Sequence, residues 1–156
     1  MSVPKSERGE SKVEFLNQLR KLEVLLLRIN AKAPKKFNYF MNNFLIKPAA
    51  DAYSDAKAGN TIYVMTEQDV QMRRKCMLSA LINLSKISSQ VDVYYEIYKS
   101  TFLTNNELQE IYSTLSLCYK LVKGVIKSDS EKGKRIMKKR IEDEEKIRTK
   151  VKEQLN

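Results

Sequence analysis

Thr104 to Ser128, TNNELQEIYSTLSLCYKLVKGVIKS, constrains the fold more than any other stretch, because one run carries a helix start, a long apolar seam and a basic opposite side. Thr104 can accept a hydrogen bond from a free first-turn amide while Glu107 reaches back to the Thr104 amide, the reciprocal arrangement of a capping box. Leu108, Ile111, Tyr112, Leu115, Cys118, Tyr119, Val122, Val125 and Ile126 then return at steps of three and four, the spacing that lines one face of an α-helix. Such a face needs other helices to cover it. Asn106, Glu110, Ser113, Lys120, Lys123 and Lys127 occupy the other side, with positive charge gathering toward the C-terminal end where the helix dipole favours it.

The chain before it supplies the partners. From Ser11, Phe15, Leu16, Leu19, Leu22, Leu26 and Ile29 form a stripe that Val24, Leu25 and Leu27 widen nearly all round, more than one neighbour would cover. Pro34 suits the first turn of a second helix, with Phe37, Phe40, Met41, Phe44 and Leu45 as its expected buried face. Pro48 predicts a kink or short break. Beyond it Ala49, Ala52, Tyr53 and Ala56 continue the seam until Gly59 and Asn60, a plausible C-terminal stop. Phe37, Tyr39 and Phe40 beside Lys35 and Lys36 also suit base stacking, but core packing is the stronger reading. Thr66 and Asp69 open a third helix with a second capping box, and Val70, Met77, Leu81, Leu84, Val91, Tyr94 and Tyr98 run down it.

Four amphipathic helices with short connections predict an all-α fold, an up-and-down four-helix bundle. The boundaries are a flexible arm over residues 1–10, the bundle over 11–128 and a charged tail, expected as a helical extension, over 129–156. With 4 Gly and 3 Pro in 156 residues, the composition suits helices better than a sheet needing many turns. No window approaches the roughly 20 apolar residues of a membrane span, and residues 1–12 lack the apolar centre of a signal peptide, which predicts a cytoplasmic protein. Cys76 and Cys118 fall inside apolar patterns, as buried thiols do.

The chain has no histidine, which removes the commonest general base and zinc ligand. A di-metal bundle needs inward Glu and Glu-x-x-His sets, and no Gly-rich phosphate loop is present. No cofactor, metal or catalytic residue is therefore expected, and the protein reads as a non-enzyme. Its formal charge is +10, which points to a polyanionic partner, with RNA or DNA as the first choice. Candidate contacts are Arg73, Arg74 and Lys75 in the third helix, Lys120, Lys123 and Lys127 in the fourth, and Lys132, Lys134, Arg135, Lys138, Lys139 and Arg140 in the tail. Glu142, Asp143, Glu144 and Glu145 follow as an acidic block that can pair with the basic one between helical turns.

The segments AKAPKKFNYFMNNFLIKPAADAY and FLTNNELQEIYSTLSLCYKLVKGVIKS resemble a family of small basic four-helix bundles. It includes the accessory variability determinant of diversity-generating retroelements and the proteins of ribosomal-RNA intervening sequences. The likeness covers roughly Lys12 to Ser128. It implies a homo-oligomer, a pentamer in the retroelement branch, whose basic surface engages a reverse transcriptase and its RNA or cDNA. That branch carries several arginines along the middle of its third helix, where this chain has Asn83, Lys86, Ser88, Ser89 and Gln90. Two functional expectations follow. One is a non-enzymatic nucleic-acid adaptor, and the other is a homo-oligomeric scaffold whose basic surface docks an acidic protein.

Overall fold

The computed structural model describes the backbone of residues 5–98 and 103–155 and the side chains of residues 13–97 and 103–151. The side chain of Tyr98, expected in the seam of the third helix, lies outside these residues. Helix α1 spans Lys5–Lys32; a 3-10 turn over Lys35–Phe37 leads into α2, Asn38–Met41, then a π-helical segment, Asn42–Ile46, and α3, Lys47–Thr61. Helix α4 spans Glu67–Tyr98 and α5 spans Asn105–Leu155. Each of α1, α3, α4 and α5 packs on its neighbours in sequence, and α1 closes the ring on α5. Neighbouring helices run in opposite directions: Gly59 of α3 faces Cys76 of α4 while Asp55 meets Asn83, Glu67 and Asp92 of α4 meet Arg140 and Tyr112 of α5, and Lys32 at the end of α1 meets Glu107 at the start of α5. This is the up-and-down bundle that the periodicity predicts.

The core is formed by the stripes read from the sequence. Leu19, Leu22, Leu26 and Ile29 of α1, Ala49, Ala52 and Ala56 of α3, Met77, Leu84, Ile87 and Val91 of α4, and Ile111, Leu115, Cys118 and Val122 of α5 are buried together. Burial pushes the Cys118 thiol up to about 12, so it stays protonated and packs as a small apolar group.

Both capping boxes form. The Thr104 amide donates to Glu107 Oε2 at 3.1 Å and the Glu107 amide donates to Thr104 Oγ1 at 3.2 Å. At α4, the Thr66 amide donates to Asp69 Oδ2 at 2.8 Å and the Asp69 amide donates to Thr66 Oγ1 at 3.2 Å. Thr66 holds the Asp69 carboxyl below its ordinary value through its hydroxyl and amide, joined by the Met65 amide. Burial pushes Glu107 up, but the Lys32 ammonium and the Thr104 amide and hydroxyl outweigh it and leave the carboxyl lowered. A lowered folded-state pKa gives stability that is present above the unfolded value and lost as pH falls through the folded one. Thermal stability is therefore expected to fall as the pH drops below about 4. Glu107→Gln should flatten part of that slope in a series of thermal melts.

The structure corrects several boundaries. Helix α1 begins at Lys5, inside the segment expected as a flexible arm, where only Gly9 opposes a helix among residues 5–10. No helix break separates the bundle from the tail at residue 128. Helix α5 crosses Ser128 unbroken and runs for 51 residues, about 77 Å at 1.5 Å per residue. Asp129, the first residue assigned to the tail, is among the most buried side chains of the chain at 2% exposure. The helix leaves the bundle only after Arg140, whose Nη1 lies 3.6 Å from Glu67 Oε1 at the start of α4. From residue 141 to 151 every side chain is exposed.

Pro48 produces a change of helix type rather than a break. The Lys47 amide donates five residues back to the Asn42 carbonyl, and Pro48, which has no amide to give, enters the first turn of α3. Met41 and Leu45 are buried as expected, but Phe40 and Phe44 are turned outward.

Gly59 is not a helix stop. It lies buried within α3, where a Cβ would stand 2.9 Å from Cys76 Cβ and 3.0 Å from Met77 Cε. The missing side chain lets α3 and α4 approach. Gly59→Ala should therefore destabilise the bundle by about 1 kcal/mol, because overpacking exceeds the gain in helix propensity. Cys76→Ala should not relieve it, since the obstructing atom is Cβ itself, whereas Cys76→Gly should relieve the clash; chemical denaturation of the three variants checks both.

Candidate nucleic-acid interface

The basic residues named from the sequence separate into three groups. Lys120, Lys123, Lys127, Lys134 and Lys138 recur at helical steps on the side of α5 opposite Ile111, Leu115, Cys118 and Val122, and all five are exposed. They form a ridge about 27 Å long. Lys123 Nζ also stands 5.8 Å above the Tyr119 ring, whose hydroxyl shares a 2.6 Å hydrogen bond with Ser85 of α4. Lys132, Arg135 and Lys139 lie on the adjoining exposed side of the same helix.

Arg74 and Lys75 are exposed on α4. Arg74 shares a groove of about 200 Å³ between α4 and α5 with Lys134, which brings it to the edge of the ridge. Lys75 lies one residue further round α4.

Arg73 and Arg140 point elsewhere. Arg73 Nε lies 2.7 Å from Asp129 Oδ2 and Nη1 donates to the Ile62 carbonyl at 3.4 Å. Its guanidinium ties α4 to α5 and to the α3–α4 connection, so it is not a free phosphate ligand. Arg140 is engaged by Glu67 and, at 3.5 Å, by Glu144.

The pairing of basic and acidic blocks is partial. Lys134 pairs with Glu131 at 3.1 Å, Lys138 with Glu142 at 4.0 Å and Lys146 with Asp143 at 3.6 Å. These are exposed pairs one turn apart, which water and salt screen heavily. Among the described residues, Arg74, Lys75, Lys120, Lys123, Lys127, Arg135 and Lys139 form no ion pair. A phosphate backbone laid along α5 would find unpaired cations first and weakly held ones next.

A second hollow opens beside the ridge, where the α3–α4 connection crosses α1 and α5. It holds about 880 Å³ and is lined by Phe15, Tyr63, Arg73, Lys120, Gly124 and Lys132, among others. Lys120 and Lys132 thus reach one cavity mouth from positions more than three turns apart.

A third region corrects the sequence reading, which weighed Phe37, Tyr39 and Phe40 for base stacking but preferred core packing, and placed Phe40 and Phe44 on a buried face. Tyr39, Phe40 and Phe44 are 70%, 48% and 43% exposed. Their rings contact one another, Tyr39 edge-on to Phe40 at 5.7 Å and Phe40 parallel to Phe44 at 6.3 Å. The signal lay in Asn42-Asn43 followed by Pro48, a polar pair and a missing donor inside an otherwise apolar helix. Among the described residues no group of three His, Cys, Asp or Glu is placed to hold a metal ion, and no helix is long and apolar enough to cross a membrane. Comparison of the chain with family models, curated proteins and solved structures finds no match.

Proposed function

We propose that this chain is a non-enzymatic nucleic-acid-binding protein that holds a phosphate backbone along the outer face of α5. The observation that carries this reading is the row of Lys120, Lys123, Lys127, Lys134 and Lys138, which spans about five turns on the side of α5 away from the core, with Glu131 in the gap between Lys127 and Lys134. Such a ridge positions a strand without reading its sequence. The resemblance to retroelement accessory bundles extends the proposal to an adaptor that gathers RNA or cDNA for a reverse transcriptase, acting as a homo-oligomer.

Assembly has its own support. Met72, Leu78, Ile82, Val93 and Ile97 are exposed along the outer side of α4, a larger uncovered run than Val13, Val24 and Leu27 leave on α1. The same stripe favours a second reading, a scaffold that docks a protein partner through α4.

Gel filtration with light scattering separates the two, run on nucleic-acid-free protein alone, with a short RNA and with an RNA–DNA hybrid. An oligomer that takes up either nucleic acid at low salt and releases it at high salt supports the adaptor. Binding that ignores salt, or no binding at all, overturns it. A contact made by five phosphates gives a slope of log affinity against log salt of about −3.5 on a single strand and about −4.5 on a duplex.

A further inference from the structure

A cleft opens between the π-helical segment and α4. It holds about 400 Å³, and its wall carries one aromatic face, Phe44, and two ammonium groups, Lys47 and Lys86. Asn43, Ser89 and Gln90 add carboxamide and hydroxyl groups, and Asp51 contributes a carboxylate. Small-molecule sites are commonly of this size, and here seven of the nine lining residues are polar around the Phe44 ring.

The floor is prearranged from inside the bundle. Asp55 of α3 accepts from Ser79 Oγ at 2.6 Å and from Asn83 Nδ2 at 3.3 Å. Asn83 is only 7% exposed, and its Oδ1 accepts from Lys86 Nζ at 3.2 Å. A buried carboxamide thus fixes the ammonium at the cleft. On the facing wall Asn43 Nδ2 donates to the Tyr39 carbonyl at 2.9 Å, leaving its side-chain oxygen to accept. The π turn is what brings Asn43 and Phe44 to the rim; single π turns inside helices recur at functional sites.

We infer that this cleft binds one unpaired nucleotide of a single strand, its base stacked on Phe44 and its phosphates held by Lys47 and Lys86. Asn43, Ser89 and Gln90 meet the base edge, and Asp51 accepts from a sugar hydroxyl or a base amine. Phe40 and Tyr39 continue the aromatic surface for a neighbouring base. Stacking tolerates any base, because every base has a π face. Duplex bases are already stacked on one another, so the cleft selects single strands, whereas the α5 ridge does not. The inference rests on the nucleic-acid reading above but uses a different surface, across α4 from the ridge.

The test is the affinity of the full chain for a short single-stranded RNA carrying 2-aminopurine and for a duplex of the same length. Native protein, Phe44→Ala and Lys86→Gln are compared, with circular dichroism to verify their folding. Native protein should quench the 2-aminopurine. Phe44→Ala should abolish the quenching and weaken single-strand binding about tenfold while leaving duplex binding unchanged. Lys86→Gln should weaken single-strand binding and keep the quenching. Quenching that survives Phe44→Ala, or a loss shared equally by single strand and duplex, overturns the inference. Duplex binding without single-strand quenching overturns it while sparing the ridge. Failure to bind either ligand overturns both readings, and a Phe44→Ala variant that loses only self-association reassigns the patch to a protein contact.

Discussion

Arg73→Met is expected to cost about 3–5 kcal/mol of stability, because it leaves the carboxylate of Asp129 inside the bundle without its closest cation. Asp129 is 2% exposed and takes Arg73 Nε at 2.7 Å, whereas Lys132 stands off at 3.9 Å. The Lys132 ammonium is half exposed and offsets part of the loss, which places the effect toward the lower end of the range. Removing both charges should restore most of the stability. In Arg73→Met/Asp129→Leu no charge remains to be desolvated, and an apolar pair of similar volume often matches a buried ion pair. Urea denaturation of the two singles and the double closes the cycle. The double variant also tests function. Arg73 fastens α5 to α4, so the double should bind nucleic acid with the native salt slope. A slope reduced by about one would return Arg73 to the phosphate ligands.

Arg73 shows what pattern reading resolves and what it cannot. In the sequence Arg73, Arg74 and Lys75 are one basic cluster. Adjacent residues on a helix point about 100° apart, so a cluster in sequence is a fan in space. Which member turns inward depends on a buried acid, and Asp129 looked like part of a solvated tail because Lys127, Ser128, Ser130 and Glu131 surround it. The ordinary levels of structure were legible. The heptad-like stripes of α1, α4 and α5 and the boxes at Thr66 and Thr104 depend on neighbours three and four residues away, and local spacing encodes them fully.

The π segment was not legible for the opposite reason. Phe37, Phe40, Met41, Phe44 and Leu45 fit the step of a regular α-helix, and the extra residue in the turn rotates part of that stripe outward. Pro48 announced a disturbance without saying how the backbone would absorb it. Gly59 likewise reads as a stop by composition, and only the opposing Cys76 Cβ reveals why no side chain fits there.

The largest functional effect is expected from the α5 ridge. Replacing Lys120, Lys123, Lys127, Lys134 and Lys138 by Gln removes five exposed positive charges and leaves the apolar seam on the far side untouched. Gln has nearly the helix propensity of Lys, and the lost pairs with Glu131 and Glu142 are worth only a few tenths of a kcal/mol each. The variant should therefore keep its helical circular dichroism and most of its thermal stability. Its binding should change far more. A phosphate-contacting lysine contributes roughly one unit to the salt slope, so the slope on a duplex should fall by about 4.5 and low-salt affinity by more than about a hundredfold. Lys57→Gln/Lys150→Gln, which removes charge away from the ridge, should leave the slope nearly unchanged. The contrast separates a positioned contact from the attraction of net charge alone. General attraction would make affinity follow the number of lysines removed, wherever they lie, and an equal loss per charge in the ridge and control variants would defeat the assignment of the backbone to α5.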